Sequence, residues 1–229
     1  MNRIVLNSGL WSATICLAAF IVWIISFVAI AIQASLFFWT NMENYIEYVE
    51  NSSQFFQYLA QGFMILFSLA YMVLTLVLSE FALSQRKLFA KIAIVFAIMF
   101  ALVSSIHYFV QISYVRFAIA NNEYLGLEHF LQSNPTSFLS SVNMLGWTLF
   151  LSLSTLFLYF GLGSISLQKG IRIGLLINTA SCFLGGIGYL FQIDLLTFIF
   201  INLGVGLGFI LITFSSIKFF LRLINNKCA

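Results

Sequence analysis

Four side chains with hydrogen-bonding or charged groups interrupt one of the most apolar parts of this 229-residue chain. They fall within residues 106–116, which read IHYFVQISYVR, and residues 92–103 just before them contain no polar side chain. The four are His107, Gln111, Tyr114 and Arg116, and the hydroxyls of Tyr108 and Ser113 lie between them in the sequence. Such groups bind polar solutes, hold ions or join helices by hydrogen bonds, and a chain this apolar is expected to place them for one of those purposes.

His107, Gln111 and Tyr114 follow Ser104 at intervals of three or four residues, which places all four on one face of a helix. A polar face on a helix in lipid is expected to point toward protein or water. Other apolar segments carry polar groups at a similar depth: Gln57, Gln61, Asn143, Tyr189, Gln192 and Asn202.

Two interpretations of this shared depth stay open. In the first, the groups line one cavity that opens to the exterior. Its candidate ligand-binding residues are Gln61, His107, Gln111, Tyr114, Asn143, Tyr189 and Asn202. In the second, the same side chains only tie helices together, with about 0.6–2 kcal/mol for each bond.

The elements that position these groups follow from composition. Hydrophobic residues make up 62% of the chain and charged residues 7%, whereas soluble domains carry about 25% charge. Six segments reach the roughly 20 residues that a helix needs to cross a bilayer. They are residues 10–38, 56–79, 90–115, 137–161, 172–192 and 195–218. The sequence therefore predicts an all-α polytopic membrane protein, a bundle of six transmembrane helices in a single domain over residues 1–229.

The charged residues separate by side in this six-helix map. Nine of the ten basic residues fall on one side: Arg3, Arg86, Lys87, Lys91, Lys169, Arg172, Lys218, Arg222 and Lys227. Basic loops mark the cytoplasmic side, so both termini are predicted to be cytoplasmic. Six of the seven acids fall on the other side: Glu43, Glu47, Glu50, Glu123, Glu128 and Asp194. The net charge of +3 is thus a signal of topology and does not predict a nucleic-acid partner.

Arg116 is the one basic residue on the outer side, and it is expected to form an ion pair or a gating contact there. The acids available to it are Glu123, Glu128 and Asp194. Each outer loop, residues 40–55 and 117–136, is expected to include a short interfacial helix. The aromatic residues expected at the headgroup level are Trp39, Tyr45, Tyr48 and Tyr124.

The last two segments read as a closely packed pair. Gly204 and Gly208 form a GxxxG pattern, and Gly185 lies on a face of small residues in the fifth segment. Small residues let helix backbones approach each other, so these three glycines are predicted to be packing residues. Cys16, Cys182 and Cys228 form no CxxC pair and are interpreted as packing residues as well.

No pattern in the sequence predicts a catalytic residue, a cofactor or a metal. A metal site would require several His, Cys or carboxylate ligands at compatible spacing. A lipid-active enzyme would have to draw its acid and base from few residues, so an enzyme is the less favoured class. Those residues are His107, Glu123, Glu128, His129 and Asp194.

The motif YFVQISYVR, the Asn134-Pro135 pair in the acidic-aromatic loop and LGW at residues 145–147 resemble segments of bacterial multi-pass membrane proteins that carry no assigned activity. The resemblance covers about the third and fourth segments. It implies a bacterial plasma membrane and assigns no role to any residue.

The sequence favours a protein that binds or transports a small polar solute or ion through an outward-facing polar cavity, with the lipid bilayer as its surroundings. The alternatives are a structural or accessory membrane subunit, which would act in a homo-oligomer or with a membrane partner, and a lipid-active enzyme.

Overall fold

The computed structural model describes residues 2–34, 37–163 and 169–226. Lys227 and Cys228, for which the sequence predicts a cytoplasmic position and a packing role, lie outside the described residues. The structure is 85% helical and its described residues contain no strand, so the predicted all-α class is confirmed. The helices are α1 (Arg3–Ala34), α2 (Met42–Asn51), α3 (Phe55–Ser79), α4 (Lys87–Val110), α5 (Arg116–Ala120), α6 (Phe138–Leu145), α7 (Leu151–Leu162), α8 (Lys169–Leu190), α9 (Asp194–Phe198) and α10 (Val205–Asn225).

Six helical stretches in the described residues are long and apolar enough to cross a membrane, which confirms the predicted number of spans. They are Arg3–Gln33, Phe55–Ser79, Ser84–Ala120, Phe138–Leu162, Lys169–Leu190 and Asp194–Asn225. The first stretch begins at Arg3 instead of residue 10, and the third continues to Ala120 instead of ending at residue 115.

The first and last helices meet at one end of the bundle. Gly9 of α1 faces the ring of Phe220 in α10, and the ring of Phe81, just after α3, lies 4.8 Å from the ring of Phe219. We call this the basic end, since the described basic residues other than Arg116 belong to it: Arg3, Arg86, Lys87, Lys91, Lys169, Arg172, Lys218 and Arg222. The opposite, acidic end carries Glu43, Glu47, Glu50, Glu123, Glu128 and Asp194.

The first outer loop contains the amphipathic helix α2. Asn41 caps this helix, because its side-chain oxygen accepts a hydrogen bond from the backbone N of Asn44 at 2.9 Å. Tyr45 is 4% exposed and points toward the bundle. The second outer loop contains only a short 3₁₀ turn, Leu127–His129. A helix is therefore present in the first loop, as predicted, whereas the second loop has only this turn after α5, and the interfacial position of α2 stays a prediction.

Three of the spans contain a π-helical turn near the acidic end. The turns are Gln111–Val115 between α4 and α5, Gly146–Phe150 between α6 and α7, and Ile199–Gly204 between α9 and α10. A π turn uses hydrogen bonds between residues i and i+5, so the helical face after it is rotated relative to the face before it.

Aromatic rings fill the centre of the bundle, and we call them the aromatic core. The ring of Phe67 lies 4.7 Å from that of Phe209 and 6.2 Å from that of Trp147, which is 5.0 Å from Phe100. Tyr71 packs edge-to-face on Phe209 at 5.4 Å. These rings come from α3, α4, α10 and the π turn after α6, so one cluster joins four spans.

The pair formed by α8 and α10 is packed through glycine. A Cβ added at Gly208 would lie 2.9 Å from Cγ of Asn178, and one at Gly185 would lie 2.6 Å from the side chain of Ile201. Gly204 likewise faces α8 without room for a Cβ. All three glycines that the sequence identifies for packing thus lie where two helices touch closely.

Candidate functional site

Gln111 binds the second outer loop, in the part that follows α5. We use this name from here on for residues 121–137. Its Nε2 donates a hydrogen bond to the carbonyl of Phe130, and its Oε1 accepts one from the backbone N of Gln132 at 3.1 Å. The side chain is buried, with 2% of the residue exposed. Because both groups of its amide are used by loop backbone, Gln111 has little capacity left for a ligand.

His107 and Tyr189 attach the same region of the chain to other helices. Nδ1 of His107 donates to the carbonyl of Leu139 at 3.2 Å, since a carbonyl oxygen only accepts. The hydroxyl of Tyr189 donates to the carbonyl of Pro135 at 2.8 Å and lies 2.9 Å from Oγ of Ser141. These two residues therefore act in the structure as ties between helices and the outer loop.

The second outer loop is also held by bonds within itself. The hydroxyls of Ser137 and Ser140 both donate to the carbonyl of Leu131, at 2.9 and 3.2 Å. Oδ1 of Asn134 accepts from the backbone N of Thr136 at 3.1 Å. Side chains thus form hydrogen bonds to backbone groups that would otherwise be bonded to each other within a helix. This explains why the loop folds without an α-helix.

Tyr114 does not share the inward face of its helix. Ser104 and His107 are 0% exposed and Gln111 is 2% exposed, but Tyr114 is 49% exposed. The π turn that begins at Gln111 rotates the residues after it, and the ring of Tyr114 packs against Phe130 at 5.1 Å. The prediction that Tyr114 belongs to the inward polar stripe is wrong, because it assumed an α-helix of constant pitch.

Asn143 and Asn202 stand apart from these ties. Nδ2 of Asn202 donates to the carbonyl of Phe198 in its own helix at 3.1 Å. Oδ1 of Asn143 is buried and has no partner in the part of the chain that the structure describes.

A cavity of about 230 Å³ lies at the acidic end, between α1, α2, α3 and the second outer loop. Its apolar wall consists of Trp23, Phe27, Ile30, Phe37, Ala60 and Met64. Its polar wall consists of Tyr45, Tyr48, Gln57, Gln61, Tyr108, Gln132 and Ser133. Since the rings of Phe20 and Phe67 lie 6.4 Å apart next to this wall, the aromatic core begins directly on its inner side.

Gln61 is the one predicted ligand-binding residue that lines this cavity. Its Nε2 donates to Oε1 of Gln132 at 3.0 Å, and its Oε1 is buried without a partner among the described residues. Gln132 is also the residue whose backbone N binds Gln111. The predicted set of seven is therefore wrong as the lining of one cavity. The cavity lies beside these residues. Gln132 links it to Gln111, because its side chain binds Gln61 in the cavity wall and its backbone N binds Gln111.

No Lys, Arg, His, Asp or Glu side chain is among the residues that line the cavity. Burial raises the pKa of Tyr45 above its ordinary value, and the neighbouring phenols of Tyr58 and Tyr48 raise it further. Tyr45 therefore stays neutral and keeps its hydroxyl as a hydrogen-bond donor.

Arg116 does not form the predicted ion pair. Its guanidinium lies over the ring of Tyr58, 5.5 Å from the ring centroid. In the described ranges, no carboxylate lies within 4 Å of Arg116, and Glu128 instead lies 3.8 Å from Nε2 of His129. Glu123 and Asp194 are exposed. An aromatic face is a sufficient partner for an exposed guanidinium, which explains the absence of a pair.

No local pattern in the sequence identifies most of the residues that line the cavity. Trp23 and Phe27 lie in an apolar helix, where their spacing of four residues is also typical of a surface that faces lipid. Gln132 and Ser133 lie in a loop whose path no local pattern predicts. The one usable signal is the run of aromatics at Phe20, Trp23 and Phe27, whose rings stack at 5.5 and 5.8 Å.

The fold is that of a multi-pass helical membrane protein, and the site is a cavity at the acidic end of its helix bundle. Comparison with protein-family models, with curated proteins and with solved structures finds no match for this chain. In the ranges that the structure describes, no three metal-ligating side chains come together.

Proposed function

We propose that this protein binds a small solute in the cavity at its acidic end, and that this end faces the exterior. The single observation that carries the proposal is the cavity of about 230 Å³, which is lined by aromatic rings together with three glutamine side chains. Binding sites for small molecules typically combine an apolar wall with a few polar groups that fix orientation.

The size of the cavity limits the solute. A cavity of about 150 Å³ holds one benzene molecule, and sites for drug-sized ligands measure about 300–1,000 Å³. A cavity of about 230 Å³ fits a solute with one ring or a compact branched group. A whole phospholipid is too large for it.

The basic end is proposed to face the cytoplasm, with both chain ends there, because Lys and Arg residues gather on the cytoplasmic side of membrane proteins. The bacterial plasma membrane is the location that the resemblance of the third and fourth segments implies. With this orientation a solute reaches the cavity from outside the cell.

Binding is the step that this conformation supports directly. Transport would also require the aromatic core to open, because Phe67, Tyr71, Phe100 and Phe209 are buried on the inner side of the cavity. A protein that alternates between conformations would satisfy this requirement, and it would release the solute at the basic end.

Labelling of single cysteines in intact cells tests the proposal. Cys16 and Cys182 are 0% exposed and should stay unreactive, so Cys228→Ser supplies the background. Ala60→Cys, in the cavity wall, is expected to react with a membrane-impermeant maleimide. One of four added solutes, namely choline, glycerol, lactate or glycine, is expected to slow that reaction.

Two matched variants control the measurement. Ala97→Cys, at a position that is 0% exposed, should not react. Gln85→Cys, exposed at the basic end, should react only after the cells are permeabilised. If Ala60→Cys reacts no faster than Ala97→Cys, or if none of the solutes slows it, the proposed function is wrong. If Gln85→Cys reacts in intact cells, the orientation is wrong.

A further inference from the structure

Aromatic rings approach the cavity from three directions. Trp23 and Phe27 line it from α1, and their rings stack at 5.8 Å. Tyr45 and Tyr48 line it from α2, where both pack on the ring of Phe37 at 5.5 and 5.0 Å. Tyr108 of α4 contributes a third side. The rings of three helices therefore border the same space.

The charged residues near the cavity favour a cation as its ligand. Glu43, Glu47 and Glu50 are exposed on α2, the helix that covers the cavity, and α2 contains no basic residue. Their carboxylates are expected to attract cations to the mouth of the cavity and to repel anions. Arg116, the described basic residue at this end, does not line the cavity, and its guanidinium rests on Tyr58.

The cavity lacks what a small metal cation requires. Such an ion prefers a shell of oxygen ligands with carboxylates, and no carboxylate is in the wall. A quaternary ammonium group has other requirements, because it offers no N–H to satisfy and is stabilised by the faces of several aromatic rings. Gln61 is 97% buried in the cavity wall, and its Oε1 has no hydrogen-bond partner among the described residues.

We infer that the solute is a small organic cation with a quaternary ammonium group, which the rings of Trp23, Phe27, Tyr45, Tyr48 and Tyr108 enclose. The inference rests on the proposed function, since it names the class of solute for the same cavity. A trimethylammonium group with a short hydroxylated or carbonyl-bearing chain is compatible with about 230 Å³.

A pair of isosteric probes tests the charge. Choline and 3,3-dimethyl-1-butanol have nearly the same shape, but the alcohol has carbon in place of the charged nitrogen. Both are added during labelling of Ala60→Cys in the Cys228→Ser background. The half-protective concentration of choline is expected to be at least tenfold lower than that of the alcohol, because only the cation is attracted by the ring faces.

Variants of two tryptophans on the same helix test the rings. Trp23→Leu is expected to raise the half-protective concentration of choline about tenfold, which corresponds to about 1.4 kcal/mol. Trp23→Phe keeps a ring and should raise it less. Trp11→Leu, at a position 65% exposed and outside the cavity wall, should leave it unchanged.

The outcomes separate this inference from the proposed function. Equal protection by choline and the alcohol would overturn the cation class and leave the binding function intact. Protection by glycerol, lactate or glycine without protection by choline would have the same meaning. If no solute protects Ala60→Cys, both the inference and the proposed function fall. The probe comparison needs no further substitution, so a Trp23 variant that misfolds does not affect it.

Discussion

Two helix pairs in this bundle solve the same packing problem in opposite ways. Between α8 and α10, glycines face the partner helix so closely that a Cβ at Gly174 would lie 2.8 Å from the backbone oxygen of Gly208. Between α1 and α3, the facing side chains near the acidic end are large, and a cavity of about 230 Å³ remains among them. Lipid tails offer no hydrophobic gain to either pair, so close contact must come from shape.

The difference between these helix pairs shows which part of the bundle has space for a ligand. Small side chains bring backbones together and leave no void, as they do around Asn178, which is fully buried against Gly208. At the acidic end, Trp23 and Phe27 of α1 instead border a cavity that residues from α2, α3, α4 and the second outer loop also line. A close backbone contact thus lies between α8 and α10, whereas the space that the proposed function uses lies beside α1.

The largest expected effect comes from one methyl group at the tight pair. Gly174→Ala would place its Cβ 2.8 Å from the oxygen of Gly208 and 2.9 Å from the backbone N of Ile212. Because backbone atoms cannot move aside as a side chain can, the free energy of unfolding should fall by about 3 kcal/mol. The midpoint of thermal unfolding measures this, with a thiol-reactive dye reporting exposure of the buried Cys16 and Cys182.

The matched control is Gly62→Ala in α3, where an added Cβ would meet no atom within 4 Å. Alanine is the better helix former, so this variant should be unchanged or slightly more stable, by up to about 1 kcal/mol. Equal midpoints for the two variants would remove the distinction between tight and open helix faces.

The architecture can be predicted from this sequence because lipid allows few solutions. Six long apolar segments must be helices in hydrocarbon, and the separation of basic from acidic residues fixes which ends lie together. The close approach at Gly208 can be predicted as well, because GxxxG encodes it locally. Each of these features depends on residues near one another in the chain.

The candidate site depends on features that no local pattern reveals. The polar stripe through His107 and Gln111 is visible in the sequence, but the π turn at Gln111 carries Tyr114 out of it. The partner of Gln111 is the backbone of a loop about 20 residues away. Spacing can therefore identify buried polar groups, whereas what they bind depends on the path of residues 121–137.

An intermediate effect is expected at this loop. Gln111→Leu removes both hydrogen bonds to Phe130 and Gln132 and leaves a partly buried carbonyl and a partly buried N–H without these partners. The loss should destabilise the docked loop by about 2 kcal/mol. Amide hydrogen exchange in residues 127–137 should become faster by more than tenfold, while exchange in α8 and α10 stays the same.

Asn202→Leu is the control for that measurement, since Asn202 donates only to the carbonyl of Phe198 in its own helix. It should leave exchange in the loop unchanged. If the two variants behave alike, Gln111 does not hold the loop, and the connection through Gln132 to the cavity is lost with it.

The smallest expected effect has the opposite sign and separates the two helix pairs most directly. Ala60→Leu adds three carbon atoms to the wall of the cavity, where they gain contacts without displacing backbone, so the protein should become more stable by about 1 kcal/mol. The same enlargement at Ala97, which is 0% exposed in α4, should cost about 1–3 kcal/mol, because that site is already filled. Choline is expected to raise the unfolding midpoint of the unmodified protein, and filling the cavity should abolish that rise. A loss of stability in Ala60→Leu as large as in Ala97→Leu would mean that the space beside α1 is not open, and a midpoint that still rises with choline would mean that the cation binds elsewhere.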